Sequence, residues 1–418
     1  MTDVLVEAAS YRGLMADGGG RILAERTVVR GTRAIPASEI TVAVIAGGGG
    51  TVRLVDATLA SNEDAAIVVT DGPASVDLTR TIVRDTRRRA GKIGGSAIRA
   101  FEAGTVTVED SALLDSRLAA VLTFRRKKPP PVVTLRRRTI ERTLASDETG
   151  TEIGLAVHAA LGAQVTLEDV TVRATKGWAA YISDEASLDA VRTAFVDAKQ
   201  TRDLHGYGLG ASHGGRIRGD SIAVVDIGSV GVNAATGGTI ALSRSLVARV
   251  GGEEQAGLPM GAGAGASSGA AVTLGACAIV DAKEIGASAY NTGSMVVLAG
   301  SVITSTGMWA PRFGHGLLLV DHGTATLRGA VVERQRGAGL LLAGGGALVE
   351  GSFLRGNEVG VQAQEGSSLE EAVASPPEGR DQVGVIVKST RITHNRTRVG
   401  AGTLPLPAPP LTVEPKGP

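Results

Sequence analysis

The sequence predicts an all-β solenoid, a parallel β-helix of about 14 coils in which short and long coils alternate. Three observations predict it. A template made of a small turn residue followed by x-Val/Ile-x-Leu/Val-x-x-small-x-Leu/Ile/Val recurs about fourteen times. Its copies start 22 to 38 residues apart, with a unit of about 23 residues mostly alternating with one near 30. Within each unit the apolar residues alternate in short runs between Gly, Asn, Asp and Ser, which is strand punctuation. No amphipathic segment of helical period is sustained in any unit, so leucine-rich and helix-pair repeats do not fit.

The elements follow in order. Residues 1–20 carry no template and are expected to cap the first coil, whose edge would otherwise invite strand pairing. The helix itself is expected over residues 21–403. Copies start at Arg21, Thr51, Ser75, Thr105, Val132, Gln164, Ser187, Arg216, Thr239, Ala271, Met295, Thr324, Gly346 and Gly384. Stacking successive copies about 4.8 Å apart turns template positions into columns. Val52, Leu54 and Leu59 head inward columns, and Ala57 heads a small one continued by Thr27, Thr81, Ser111, Ser245, Cys277, Ser301, Ser352 and Thr390. Gly50, Gly104, Gly162, Gly238 and Gly323 stand beside the template, where turns need positive φ or close stacking. From Thr403 the chain is rich in proline, and residues 404–418 read as an extended tail.

Composition narrows the function. The chain has 418 residues, a net charge of +1 and 3% aromatics, so the core is aliphatic and no global field draws nucleic acid or membrane. No apolar run reaches the length of a membrane-spanning segment, and the first thirty residues show no signal peptide. The single cysteine, Cys277, excludes an intramolecular disulfide and falls in the small inward column, where it reads as buried and inert. Oligomeric state is left open.

In coil spacing and turns the sequence resembles the right-handed parallel β-helix superfamily, the pectate-lyase-like fold, over residues 21–403. The resemblance implies a right-handed coil and leaves activity open, because that fold hosts lyases, hydrolases, adhesins and spacers. Gly314-His315-Gly316 is similar to a motif of polygalacturonases. That family also needs Asn-Thr-Asp, Asp-Asp and Arg-Ile-Lys. Here stand Asn291-Thr292-Gly293 and Arg391-Ile392-Thr393, with no Asp-Asp anywhere. Inverting hydrolysis then has neither acid nor base.

Candidate site residues come from three places. The extra residues of long coils enter after the Leu59-type position, at 85–96, 143–153, 197–207, 250–263 and 305–315, and are expected on one side of the solenoid. Among them Tyr207 and Trp309 could stack on sugar rings, with Arg312, His205 and His315 as donors. The column of Ser61 holds Asp85, Asp115, Asp197, Asp226 and Asp281. Stacked carboxylates such as Asp197 and Asp226 could raise one pKa or hold Ca²⁺, the ion that pectate lyases of this fold use; the competing reading is a turn residue bonding the next N–H. The third place is basic. Arg87, Arg88, Arg89, Arg125, Arg126, Lys127 and Lys128, with Lys92 and Arg136-Arg137-Arg138, form a patch suited to an anionic polysaccharide or cell-surface glycan.

The expected function is a non-enzymatic β-helix scaffold or surface-binding domain, in the cell envelope or outside the cell, with no cofactor. The rival is a carbohydrate-active enzyme, a polysaccharide lyase or glycoside hydrolase, with Asp197, Asp226, His205 and His315 as its catalytic candidates. Three or more carboxylate, His or Arg side chains converging on one groove would favour the rival.

Overall fold

The computed structural model describes residues 1–34, 41–89, 94–124, 129–144, 154–199, 206–251, 261–307, 314–364, 367–370, 384–400, 404 and 406. The chain divides into two compact units, Met1–Gly206 and Tyr207–Val413. Each is a parallel β-helix. All fourteen template starts, from Arg21 to Gly384, open a strand.

A coil contains three strands, as in Val42–Ala46, Thr51–Val55 and Thr58–Ala60, before the next coil begins at Ala65–Val69. Every strand pairs in parallel with its counterpart one coil on. Val52 faces Val76 and Leu54 faces Leu78, while Leu59 faces Val83. Val52, Leu54, Leu59, Val76, Leu78 and Val83 are at most 1% exposed, so the predicted columns are the core. Fully burying each such side chain is worth about 1.5–3 kcal/mol, and the solenoid repeats that term coil after coil. Second strands alternate buried and half-exposed residues, as Thr51–Val55 does. First strands differ: all residues of Ala65–Val69, Ser96–Phe101 and Ile285–Tyr290 are buried, so that face is covered on both sides.

Residues 1–20 lack the template yet supply two strands, Leu5–Glu7 and Arg12–Ala16, which pair with Val28–Arg30 and Val42–Ala46. They cover the edge that the first template coil would expose. Of residues 404–418 only Leu404 and Leu406 are described, and Leu404 N–H donates to Gln364 Oε1 at 2.7 Å.

The turn between the second and third strands consists of one left-handed residue, at Arg26, Asp56, Arg80, Asp110, Arg137, Asp169 and Arg192 in the first unit. Glycine would be the cheap choice there, since a side chain at positive φ costs roughly 1 kcal/mol. The sequence instead alternates charges that bind across coils. Arg80 clamps Asp56 at 2.6 and 2.8 Å, Arg137 clamps Asp110, and Arg192 clamps Asp169 at 2.6 and 2.9 Å. Most of the glycines beside the template serve close approach instead of positive φ. A Cβ on Gly50 would stand 2.3 Å from the Ala16 carbonyl oxygen.

The small column is a hydrogen-bond ladder. Ser301 Oγ donates to the Leu274 and Ala299 carbonyls and accepts from Cys277 N–H at 3.0 Å. Cys277 is 4% exposed, its thiol pushed up by burial, as an inert residue should be. At the third-strand corner of the second unit Gln335, Asn357 and Asn395 form an amide ladder. Asn357 accepts from Gln335 N–H at 3.0 Å and donates to the Val332 carbonyl at 3.2 Å.

Urea titration tests this account. Leu135→Ala, in a column between Val108 and Leu167, is expected to lower the unfolding free energy by about 2–5 kcal/mol. Asn357→Ala leaves two buried backbone groups bare and is expected to cost about 1–3 kcal/mol. Thr107→Ala, half-exposed on a second strand, should stay within about 0.5 kcal/mol. Equal midpoints for all three would refute the column assignment.

Candidate functional site

The corner between a third strand and the next first strand receives five of the long insertions, whereas residues 371–383 come between Ser368–Glu370 and the second strand Gly384–Lys388. Segment 85–96 joins Ile82–Thr86 to Ser96–Phe101, and 143–153 leads into Gly154–Ala160. In the second unit 250–263 joins Leu246–Val250 to Ala262–Ser267, and 305–315 joins Val302–Thr304 to His315–Val320. Segment 197–207 begins in Ala194–Lys199 and ends where Tyr207–Ala211 starts. One insertion point therefore serves all five. His205, Trp309 and Arg312, and likewise Lys92, Arg125, Arg126, Lys127 and Lys128, lie outside the described residues.

Two candidates are not loop residues. Tyr207 opens a first strand and is fully buried, its phenol pushed up by desolvation, so its ring is not offered to a sugar. His315 also opens a first strand and is fully buried, and its Nδ1 accepts from Ala338 N–H at 3.1 Å. Packing explains the glycines around it. Gly314 has φ of 111°, and a Cβ on Gly316 would stand 2.3 Å from Val332 Cγ1. The Gly-His-Gly sequence answers a stacking demand.

The aspartate column is a column of left-handed turn residues, with φ of 51° at Asp85, 54° at Asp115, 60° at Asp197 and 58° at Asp226. Asp226 accepts from Arg249 at 2.6 and 2.8 Å, and that guanidinium holds its carboxyl below the usual range. Asp115 is clamped by Arg142 at 2.7 and 2.9 Å, and Asp197 lies 3.4 Å from Lys199 Nζ. Burial acts to raise the carboxyl of Asp85, but Arg87 and Ser61 outweigh it and hold it low. The expected carboxylate pairs are thus carboxylate–cation pairs, with the cation two residues on for Asp85 and Asp197 and in the next coil for Asp115 and Asp226.

The basic patch loses members in the same way. Arg87 is bound by Asp85 at 2.6 Å, Arg136 lies 3.2 Å from Glu168, and Arg137 is held by Asp110 and Glu109. Arg138 takes the small inward column, donates to the Val108 carbonyl, and is pushed by burial down to about 9. Arg88 and Arg89 follow Arg87 at the insertion corner.

Other groups escaped the sequence reading. In the first unit Arg99 and Asp64 form an ion pair at 3.0 Å with side chains 7% and 3% exposed. The same first-strand face carries Phe101 edge-on to Phe124 at 4.6 Å, and Trp178 beside Tyr181 at 5.0 Å. His158, 5.6 Å from Tyr181, is pushed down to about 4 by burial and so stays neutral. In the second unit Glu284 is 2% exposed, and burial raises its carboxyl to about 7 against one lowering bond from the Gly261 backbone. Its Oε1, Ser288 Oγ and Tyr290 OH are buried without hydrogen-bond partners among the described residues. A charged residue in or beside an otherwise apolar first strand was the available signal.

The corner of the second unit also encloses a cleft of about 530 Å³ whose lining includes Arg249, Asp281, Lys283, Ser305, Arg334 and Arg336. Among the described residues, four cations and one carboxylate line it.

Glu284 makes a pH prediction. Its folded carboxyl titrates near 7 against an ordinary 4.5, so the folded state holds a proton that the unfolded chain releases. Stability is therefore present below about pH 4.5 and is lost as pH rises to about 7. Glu284→Gln is expected to remove on the order of 1–2 kcal/mol of that decline between about pH 5 and 8. Urea midpoints of both proteins at the two pH values check it. Parallel declines would place the responsible group elsewhere.

No family model matches the chain, and no curated protein does. Among solved structures, a crystal structure of the periplasmic alginate epimerase AlgG is similar over 85% of this chain and 78% of its own. The identity is 8% and the TM-score 0.31.

Proposed function

We propose that this chain is a non-enzymatic β-helix scaffold, of the cell envelope or extracellular space, that binds polysaccharide along its insertion corner. The observation that carries this reading is the shared insertion point of all five long segments, each set between a third strand and a first strand. In each unit, coils that take long segments at a shared insertion point are suited to display. The cations of the second-unit cleft favour an acidic ligand over a neutral one. The carboxylates of Asp115 and Asp226 are bound to arginines, which suits a rigid surface better than proton transfer.

The rival reading is a carbohydrate-active enzyme, and two observations favour it. Glu284, a buried carboxyl raised to about 7, is the kind of group that general acids require. The cleft also gathers Asp281 with several cations.

One experiment separates the readings. The protein is applied to an array of acidic and neutral polysaccharides, with bound protein, new reducing ends and unsaturated products all measured. Salt-sensitive retention on acidic polymers without any product is the expected result. Product formation that disappears with Asp226→Ala or Glu284→Gln would establish the enzyme and refute the scaffold.

A further inference from the structure

The second-unit cleft is built from two columns. Pairing sets Val247, Ile279, Ile303 and Val332 in one register. Two residues on, Arg249, Asp281, Ser305 and Arg334 form one wall of left-handed turn residues. Two further on, Gly251, Lys283, Gly307 and Arg336 form the other. Gly251 is packed closely, since a Cβ there would stand 2.9 Å from Gly261 Cα.

Its charges are unevenly matched. Arg249 is already clamped by Asp226 at 2.6 and 2.8 Å. Arg334, with its side chain 75% exposed, has its nearest carboxylate among the described residues, that of Glu333, at 4.0 Å. Glu333 gives its other oxygen to Arg355 at 2.8 Å. Arg336 is exposed and makes no ion pair among the described residues. Asp281 stands two coils from Arg334, about 10 Å by strand spacing, where solvent ions screen most of its influence.

We propose that Arg334 and Arg336, with the Ser305 hydroxyl beside them, bind a phosphoryl dianion, either a phosphate monoester or free phosphate. Two guanidiniums two residues apart present two planar forks to one space. A phosphate monoester brings about −1.5 to −2 charge and three acceptor oxygens at neutral pH, which satisfies both forks. A carboxylate brings one charge and two oxygens. The described lining offers an occupant charge and hydrogen bonding. The same cleft supports the acidic-polysaccharide reading, but this proposal does not rest on that reading, since small phosphates test it with no polymer bound.

Titration calorimetry on the full chain tests it with inorganic phosphate, glucose 6-phosphate, sulfate and acetate. Both phosphates and sulfate are expected to bind near pH 7.5, with acetate at least tenfold weaker, as charge-assisted bonds to a dianion require. Tighter binding of glucose 6-phosphate identifies an ester as the occupant, and equal binding identifies free phosphate. Arg336→Ala should weaken phosphate about tenfold, while Arg216→Ala, on an exposed second-strand position, leaves it unchanged. Toward about pH 5 both phosphates should weaken, since a monoester's second pKa is about 6 and that of inorganic phosphate lies higher, and sulfate should not. No heat with either phosphate, acetate binding equal to phosphate, or unaltered binding by Arg336→Ala would each overturn the proposal.

Discussion

The constraint on which the rest depends is in-register parallel stacking. Each coil lies on its neighbour with the same residue opposite the same residue, Val106 on Val76 and Val133 on Val106. A strand ladder of this kind satisfies every backbone group only if the turns also stack. The turns therefore cannot vary freely. They repeat one backbone conformation at one place in each coil, and positive φ recurs from Arg26 to Arg192 in the first unit.

That constraint decides what charged residues can do. A side chain in a stacked turn has, as its nearest neighbour, the same turn of the next coil. Opposite charges in consecutive turns meet, and like charges would repel along the whole column. Asp56 with Arg80 and Asp226 with Arg249 are solutions of one problem at two corners. Such exposed pairs add little stability one at a time. Their effect is to favour one register, because a slip of one coil would set Asp56 against Asp110 and a slip of one residue would part Asp56 from Arg80.

The coil was legible in the sequence because the core is periodic. Val52, Leu54 and Leu59 announce themselves through spacing, and Cys277 through its place in a column. The polar face was not legible, for a physical reason. The template records which way a side chain points within a coil and says nothing about what stands opposite. Asp85 and Asp115 read as a carboxylate pair, whereas Arg87 and Arg142 neutralise them. Tyr207 and His315 read as loop residues because insertions hide where the next strand begins. In each case the strand starts at the residue itself. Arg138 defied its column, since nothing in a pattern of small residues anticipates a buried guanidinium.

Function in a fold of this regularity resides in departures from the repeat. Aliphatic columns and ion-pair columns both follow from stacking and need no ligand to explain them. Arg334 and Arg336 break the pattern of the turns, since the coil before them offers Ser305 and Gly307 where a carboxylate would complete the ladder. Glu284 breaks the pattern of the first strands, a carboxyl kept from water beside Ile285–Tyr290. Stacking alone would be better served by an acidic residue at the first position and an apolar one at the second. Arg138 and the buried Arg99–Asp64 pair depart from the repeat as well, yet each meets a partner in the fold, as Arg336 does not among the described residues.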